Sequence, residues 1–217
     1  MRARKSRLPS IPAAMLLAAI PAGFAAPADG PQPFATAPPA PFNAMGRTDA
    51  PVAIIEYSDL QCPYCARFAL QTFPKIKRDY VDTGKVRYVA RDLPLPSHAF
   101  AVAAAVAVRC AGGQGKFWAF REALFARQSE LGRSPYDALA AELALDVPRF
   151  QACRNDGAAE AAVRADAERA RSLGITSTPS FLIGQPVEGG IHGEKFSGAE
   201  PYEKFAKRIE EALEAVK

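Results

Sequence analysis

Cys62 and Cys65 are separated by two residues in the run SDLQCPYCARF, which spans 58–68. Thiols at this spacing can ligate a metal, close a static crosslink, or pass electrons to another protein by disulfide exchange. A structural zinc site needs a second close pair of ligands. The other cysteines, Cys110 and Cys153, are isolated, and His98 and His192 pair with nothing at ligand spacing, so no metal is expected. A crosslink between Cys62 and Cys65 alone closes too short a loop to restrict the unfolded chain by much. Disulfide exchange is the strongest reading of the pair.

That chemistry sets geometric demands. Proline suits the first position of a helix, so Pro63 predicts a helix that begins there with Cys62 at its cap. The free N–H groups and positive dipole end of the helix then favour a Cys62 thiolate. Cys65 falls one turn deeper on the same face. Cys62 is therefore expected to be the exposed, attacking sulfur and Cys65 the shielded, resolving one. Tyr64 adds bulk and a hydroxyl but no positive charge near neutral pH, so a moderately acidic Cys62 is expected. Glu56 lies near the end of a β-branched run, where alternation puts it under the helix entrance. It is either an acid that trades a proton with Cys65 through a water or one whose head reaches solvent. In GITSTPSFLIG (174–184), Thr178 and Pro179 precede an apolar run. Proline is tolerated at a strand's beginning, and X-Pro bonds can be cis.

The surrounding elements are legible in outline. VAIIEYS (52–58) is a buried strand by its β-branched and aromatic content. Phe68, Leu70, Phe73, Ile76 and Tyr80 recur at helical spacing, with a kink expected at Pro74. KVRYVARDLPL supplies a second strand, which makes a βαβ unit with the cysteines at the helix entrance. Between Ser97 and Leu173 only helical patterns occur. Among them, GKFWAFREALFARQ is amphipathic through Phe117, Phe120, Leu124 and Phe125. Trp118 reads as core and His98 as a helix-entry residue. TPSFLIG and part of 185–196 read as strands, and AEPYEKFAKRIEEALEAVK as a closing helix. The expected fold class is α/β, a sheet domain in two parts (52–96 and 174–217) interrupted by an all-helical insertion (97–173).

The start of the chain has a different character. Arg2, Arg4, Lys5 and Arg7 precede an apolar stretch from Ile11 to about Phe24 and then small residues, the layout of a secretory signal peptide (1–28). The apolar run is shorter than the roughly 20 residues a membrane-spanning helix needs. Without this segment 23 basic residues face 23 acidic ones, so the basic balance belongs to the targeting sequence and no nucleic-acid partner is expected. Residues 29–51 are rich in Pro and Ala and read as an extended, poorly folded leader. Export to an oxidising compartment permits disulfides.

Taken together, DAPVAIIEYSDLQCPYCARF, CAGGQGKFWAFREALF and GITSTPSFLIG resemble the exported thiol–disulfide oxidoreductases of the DsbA type, in order and spacing from Asp49 to the C-terminus. The resemblance implies a thioredoxin-like fold with a helical insertion, a cis Pro179 beside the cysteines, and a Thr178 backbone that pairs with an extended substrate segment. It makes Glu56 the counterpart of the family's buried acid. Pro63, Tyr64, Thr178 and Pro179 become the expected substrate-contacting residues. Cys110 and Cys153 both fall in the insertion and are expected to form a structural disulfide, the alternative being two buried free thiols. The expected partners are cysteine-containing substrate proteins and a membrane or soluble redox partner, such as a quinone-linked membrane oxidase, that recycles the pair. No cofactor is expected. The family's branch with an N-terminal dimerisation domain is not matched, since only the leader precedes the fold, so a monomer is expected. The family's oxidases often carry histidine where Tyr64 stands, which leaves the direction of electron flow open. The expectation is a periplasmic oxidase; the alternatives are a reductase or isomerase, and a non-catalytic peptide-binding module.

Overall fold

The computed structural model describes residues 34–35, 41–188 and 190–216. The predicted signal peptide lies outside the described residues. The sheet runs β1 (Phe34–Ala35), β6 (Gly190–Ser197), β5 (Ser180–Val187), β3 (Val52–Ser58), β4 (Val86–Asp92) and β2 (Ala44–Met45), in that spatial order. β3 and β4 are parallel, with Glu56 opposite Ala90, whereas β5 is antiparallel to both β3 and β6. All seven residues of β3 are buried. A strand covered on both faces needs a continuous apolar run rather than alternation, which is why VAIIEYS carries a single charge, Glu56.

The first crossover opens with α1 (Pro63–Arg67), continues through a wide-turn segment at Phe68–Thr72, tightens in α2 (Phe73–Ile76) and widens again at Lys77–Val81. Proline cannot donate the N–H that a regular turn requires at its position. The kink expected at Pro74 takes the form of these wide turns on either side of α2. On one side of the sheet, Phe68, Phe73 and Tyr88 pack with Phe181 and with Phe205 of α8 (Tyr202–Glu214). The other side is covered by α7 (Ala158–Ser172), which packs Ala167 and Ala170 on Ile55, Tyr57 and Leu182.

The helical middle comprises α3 (Ala101–Gly112), α4 (Phe117–Ala126), α5 (Tyr136–Glu142), α6 (Val147–Asn155) and α7. Its core gathers Phe117, Phe120, Leu124, Leu139 and Phe150. None of the described helices is long and apolar enough to cross a membrane. A disulfide joins Cys110 of α3 to Cys153 of α6 across 43 residues. Ion pairs fasten the insertion to the end of β4, where Arg109 bridges Asp92 at 2.5 Å and also binds Asp166 of α7, which pairs with Arg91 at 2.8 Å.

The leader corrects one expectation. The fold does not begin at Val52, because part of 29–51 is built into the sheet. β2 pairs with β4, and β1 pairs with β6. Asn43 is buried and donates to the Ala90 carbonyl at 2.8 Å, while the Phe42 ring lies 5.6 Å from that of Phe117. Both sheet edges would otherwise present unpaired backbone groups, and these short strands cover them.

Closing a loop of this length stabilises by about 4 kcal/mol in the chain-entropy model. The double variant Cys110→Ser/Cys153→Ser should lose about that much stability in urea unfolding, with the reactivity of Cys62 unchanged. A loss below about 1 kcal/mol would mean that the bond does not staple the insertion.

Candidate active site

The cysteine pair lies where β3 ends and α1 begins. Cys62 has extended backbone angles and forms the cap of α1, with Pro63 in the first turn. Both thiols are free. Cys65 is fully buried and receives a hydrogen bond from the Asp59 N–H at 3.5 Å. The Cys62 thiol donates to the Thr178 carbonyl at 3.5 Å, a link across 116 residues, and the Thr178–Pro179 peptide is cis. Pro63 is exposed, Tyr64 is 56% exposed, and Pro179 is buried. Pro63 and Tyr64 thus follow Cys62 directly at the start of α1, and Thr178 of the cis peptide reaches its sulfur.

Cys62 is only 4% exposed, so the expectation of an open attacking sulfur needs correction. The Thr178 carbonyl, beside the cis Thr178–Pro179 peptide, lies against it.

The two thiols differ sharply in acidity. Cys62 is lowered from 9.0 to about 5, chiefly by the hydrogen bond it receives from Cys65; burial opposes this, and the Thr178 side chain and the backbone N–H groups of Cys65 and Tyr64 reinforce it. The acidity therefore originates in the pair itself more than in the helix dipole. Burial pushes Cys65 well up, and the neighbouring charges of Cys62 and Glu56 push it further. A proton held on Cys65 is what stabilises the charge on Cys62.

Glu56 is fully buried and does not reach solvent. Its Oε2 accepts from the Tyr88 hydroxyl and from Arg121 Nη2, each at 2.6 Å. Its Oε1 has no hydrogen-bond partner among the described residues.

Four contributors escape a local reading of the sequence. Arg121 reaches in from α4. Tyr88 comes from β4. Gln128, just after α4, donates to the carbonyls of Leu60 at 2.7 Å and Cys62 at 3.0 Å. Buried Asp59 ties the turn before α1 to the 95–98 loop, accepting from the N–H groups of Gln61 and Leu95 and contacting His98 Nδ1 at 2.8 Å. His98 is therefore linked to the site through Asp59. One signal was available for Arg121: it sits one turn from both Phe117 and Phe125, on the apolar face of its helix. Cys110 and Cys153 lie within the insertion, joined to each other and not to the redox pair. Among the described residues, no cluster of three or more His, Cys, Asp or Glu side chains could hold a metal ion.

A CxxC pair at the mouth of a βαβ unit, facing a cis proline, defines a thioredoxin-like protein. The family model described as Thioredoxin matches residues 41–211, and the chain belongs to that family. Among solved structures it is similar to Wolbachia pipientis alpha-DsbA1 (29% identity, TM-score 0.70, covering 82% of this chain and 94% of that one). It is also similar to Pseudomonas aeruginosa DsbA2 (30% identity, TM-score 0.63, covering 81% of this chain and 96% of that one). These likenesses make the architecture DsbA-like, a thioredoxin fold with a helical insertion. Among curated relatives, it is 34% identical over 159 residues to the Na(+)/H(+) antiporter NhaA 1 of Salinispora arenicola, covering 72% of this chain and 24% of that protein. The chain thus spans about a quarter of the length of such relatives. It is 26% identical over 152 residues to the probable disulfide bond formation protein D of Bacillus anthracis, covering 65% of this chain and 69% of that one.

A Cys62 lowered to about 5 should be alkylated by iodoacetamide with a midpoint near pH 5 and a plateau by pH 7. The same shift bears on stability. A thiol acid in the folded state and ordinary in the unfolded one stabilises the reduced protein above the folded value, and that contribution is lost as pH falls through it. Relative to Cys62→Ser, reduced protein should lose about 3 kcal/mol between pH 7 and pH 4. A reactivity midpoint near 8 would contradict the thiolate.

Proposed function

We propose that this chain is an exported thiol–disulfide oxidoreductase that works as an oxidase on cysteine-containing proteins. The observation that carries the reading is the opposed acidity of Cys62 and Cys65 beneath the Thr178 carbonyl. Stabilising the Cys62 thiolate stabilises the reduced pair, and a pair that prefers to be reduced oxidises others.

In the oxidised enzyme a substrate thiolate attacks Cys62 Sγ. A bond forms between the substrate sulfur and Cys62 as the Cys62–Cys65 bond breaks. Cys65 departs with the electron pair and takes up a proton, for which the unpartnered Oε1 of Glu56 makes that carboxylate the nearby relay. A second substrate thiolate then attacks the first substrate sulfur. The substrate gains its disulfide, and Cys62 leaves as the thiolate its surroundings favour. Two electrons have passed from substrate to enzyme, and a membrane or soluble disulfide-bearing partner takes them to regenerate the pair. Thr178 offers backbone groups at the edge of the loop, where an extended substrate segment can pair beside the sulfur. Tyr64 and Pro63 supply exposed apolar contact.

The charged, apolar and small-residue layout of 1–28 supports export to the periplasm through a cleaved signal, with the helical insertion (97–173) set into the thioredoxin-like domain of the mature protein. A monomer suffices for this chemistry, since every residue invoked comes from one chain.

The test is to equilibrate purified protein with glutathione buffers and to follow oxidative refolding of a reduced, disulfide-containing substrate. An oxidase predicts a potential nearer about −120 mV than about −270 mV and a loss of at least about a hundredfold in refolding rate for Cys62→Ser. A potential near the lower figure would assign the reverse traffic, reductase or isomerase work. Full retention of activity by Cys62→Ser would leave only a peptide-binding module.

A further inference from the structure

The insertion reaches into the thioredoxin core through one charged side chain. Arg121 is 5% exposed; its Nη2 lies 2.6 Å from Glu56 Oε2 and 3.2 Å from the Ser58 hydroxyl oxygen. The guanidinium is held between rings, 4.8 Å from the centre of Phe125 and 5.8 Å from that of Trp118. Tyr88 is the other donor to the same carboxylate oxygen. A buried carboxylate needs a counter-charge, and a buried cation needs an anion. These two groups, 65 residues apart, meet each other's need.

We propose that Arg121 is a positioning residue through which the helical insertion sets how much negative charge Cys65 faces, and thereby the redox balance of the Cys62/Cys65 pair. The inference rests on the exchange chemistry proposed above. Both donors occupy Oε2, which orients the carboxylate and leaves Oε1 without a partner. Among the described residues Glu56 accepts from Tyr88 of β4 and Arg121 of α4, its charge also acts on Cys65, and the Arg121 cation acts in turn on Cys65 and on buried Asp92. In the reduced pair the Cys62 thiolate and the Glu56 carboxylate both place negative charge against the buried Cys65. Arg121 offsets one negative charge there. Without it, thiolate and carboxylate repel each other across low-dielectric surroundings, and the reduced form becomes less favourable. The disulfide form carries no thiolate and escapes most of that repulsion. Removing the guanidinium therefore drives the equilibrium toward the disulfide.

The experiment compares Arg121→Met, Arg121→Lys, Glu56→Gln and the double variant Glu56→Gln/Arg121→Met in the full chain. The equilibrium constant with glutathione is measured for each, together with the pH profile of Cys62 alkylation and the melting temperature. Arg121→Met should shift the constant toward the disulfide by about tenfold and move the alkylation midpoint upward. Arg121→Lys, which keeps the charge, should stay within about threefold of wild type. The double variant, which removes both charges, should recover most of the shift. If Arg121→Met does not fold, comparing Glu56→Gln with the double variant carries the test. The double variant should lie several-fold toward the disulfide of Glu56→Gln if the guanidinium charge acts on the pair, and level with it if Arg121 is only structural. An unchanged constant and pH profile in Arg121→Met, with only a lower melting temperature, would reduce Arg121 to a structural clip and overturn the inference. So would a double variant as displaced as Arg121→Met. Failure of the exchange reading is separate: it would appear as an inactive wild type in substrate refolding, whatever the variants do in glutathione.

Discussion

One sulfur can hold charge here because its neighbour keeps a proton. The hydrogen bond from the Cys65 thiol is the largest influence lowering Cys62, and full burial keeps Cys65 protonated. The other features of the site position the pair, while burial of Cys62 and the Asp59 N–H on Cys65 act against that asymmetry without overturning it. The end of β3 delivers the turn that carries both cysteines, and the Asp59 N–H reaches the buried sulfur. Gln128 holds the carbonyls of Leu60 and Cys62, fixing the direction in which the cap of α1 points. The loop of Thr178 and Pro179 places a carbonyl against Cys62. If Cys65 were solvated it could share its proton with water, and the reason for Cys62 to ionise first would vanish.

The insertion is part of this arrangement and more than an ornament on the sheet. It has a core of its own around Phe120, Leu124 and Phe150, stapled by Cys110–Cys153. It is also bound to the sheet at the end that bears the site, through Arg109 with Asp92, through Asp166 with Arg91, and through Arg121 with Glu56. Charges buried this well are costly to separate. The position of α4 relative to β3 is thus coupled to the electrostatics around Cys65, and the helical part cannot shift far without changing them.

What could be read from the chain follows from sequence distance. Cys62, Pro63, Tyr64 and Cys65 lie within one turn of a helix whose start proline announces, and Glu56 is placed by strand alternation only six residues away. Local rules govern such spacings, and the sheet, crossover and helical middle were legible for the same reason. The partners of Glu56 were not. Tyr88 is 32 residues away and Arg121 is 65 away, and no periodicity links them to an acid on another element. The leader misled for a related reason. Its proline and alanine content describes how a segment behaves alone, whereas Ala44–Met45 and Asn43 are ordered by β4, an edge that needs partners.

Tyr64 poses the remaining physical question, since the resembling oxidases often carry histidine at that position. An imidazolium there would draw a thiolate by charge. Tyr64 instead points outward, with the Arg67 guanidinium 5.1 Å from its ring centre. The lowering of Cys62 has its source below, in the Cys65 hydrogen bond, with Thr178 and the N–H groups of α1 adding to it. Acidity that comes from buried dipoles does not titrate away as a histidine's charge does above its own pKa. On the oxidase reading, the drive to reduce Cys62 should therefore persist to higher pH than in a site that depends on an imidazolium. On that reading the uncharged Tyr64 adds nothing to the drive, which is set beneath it.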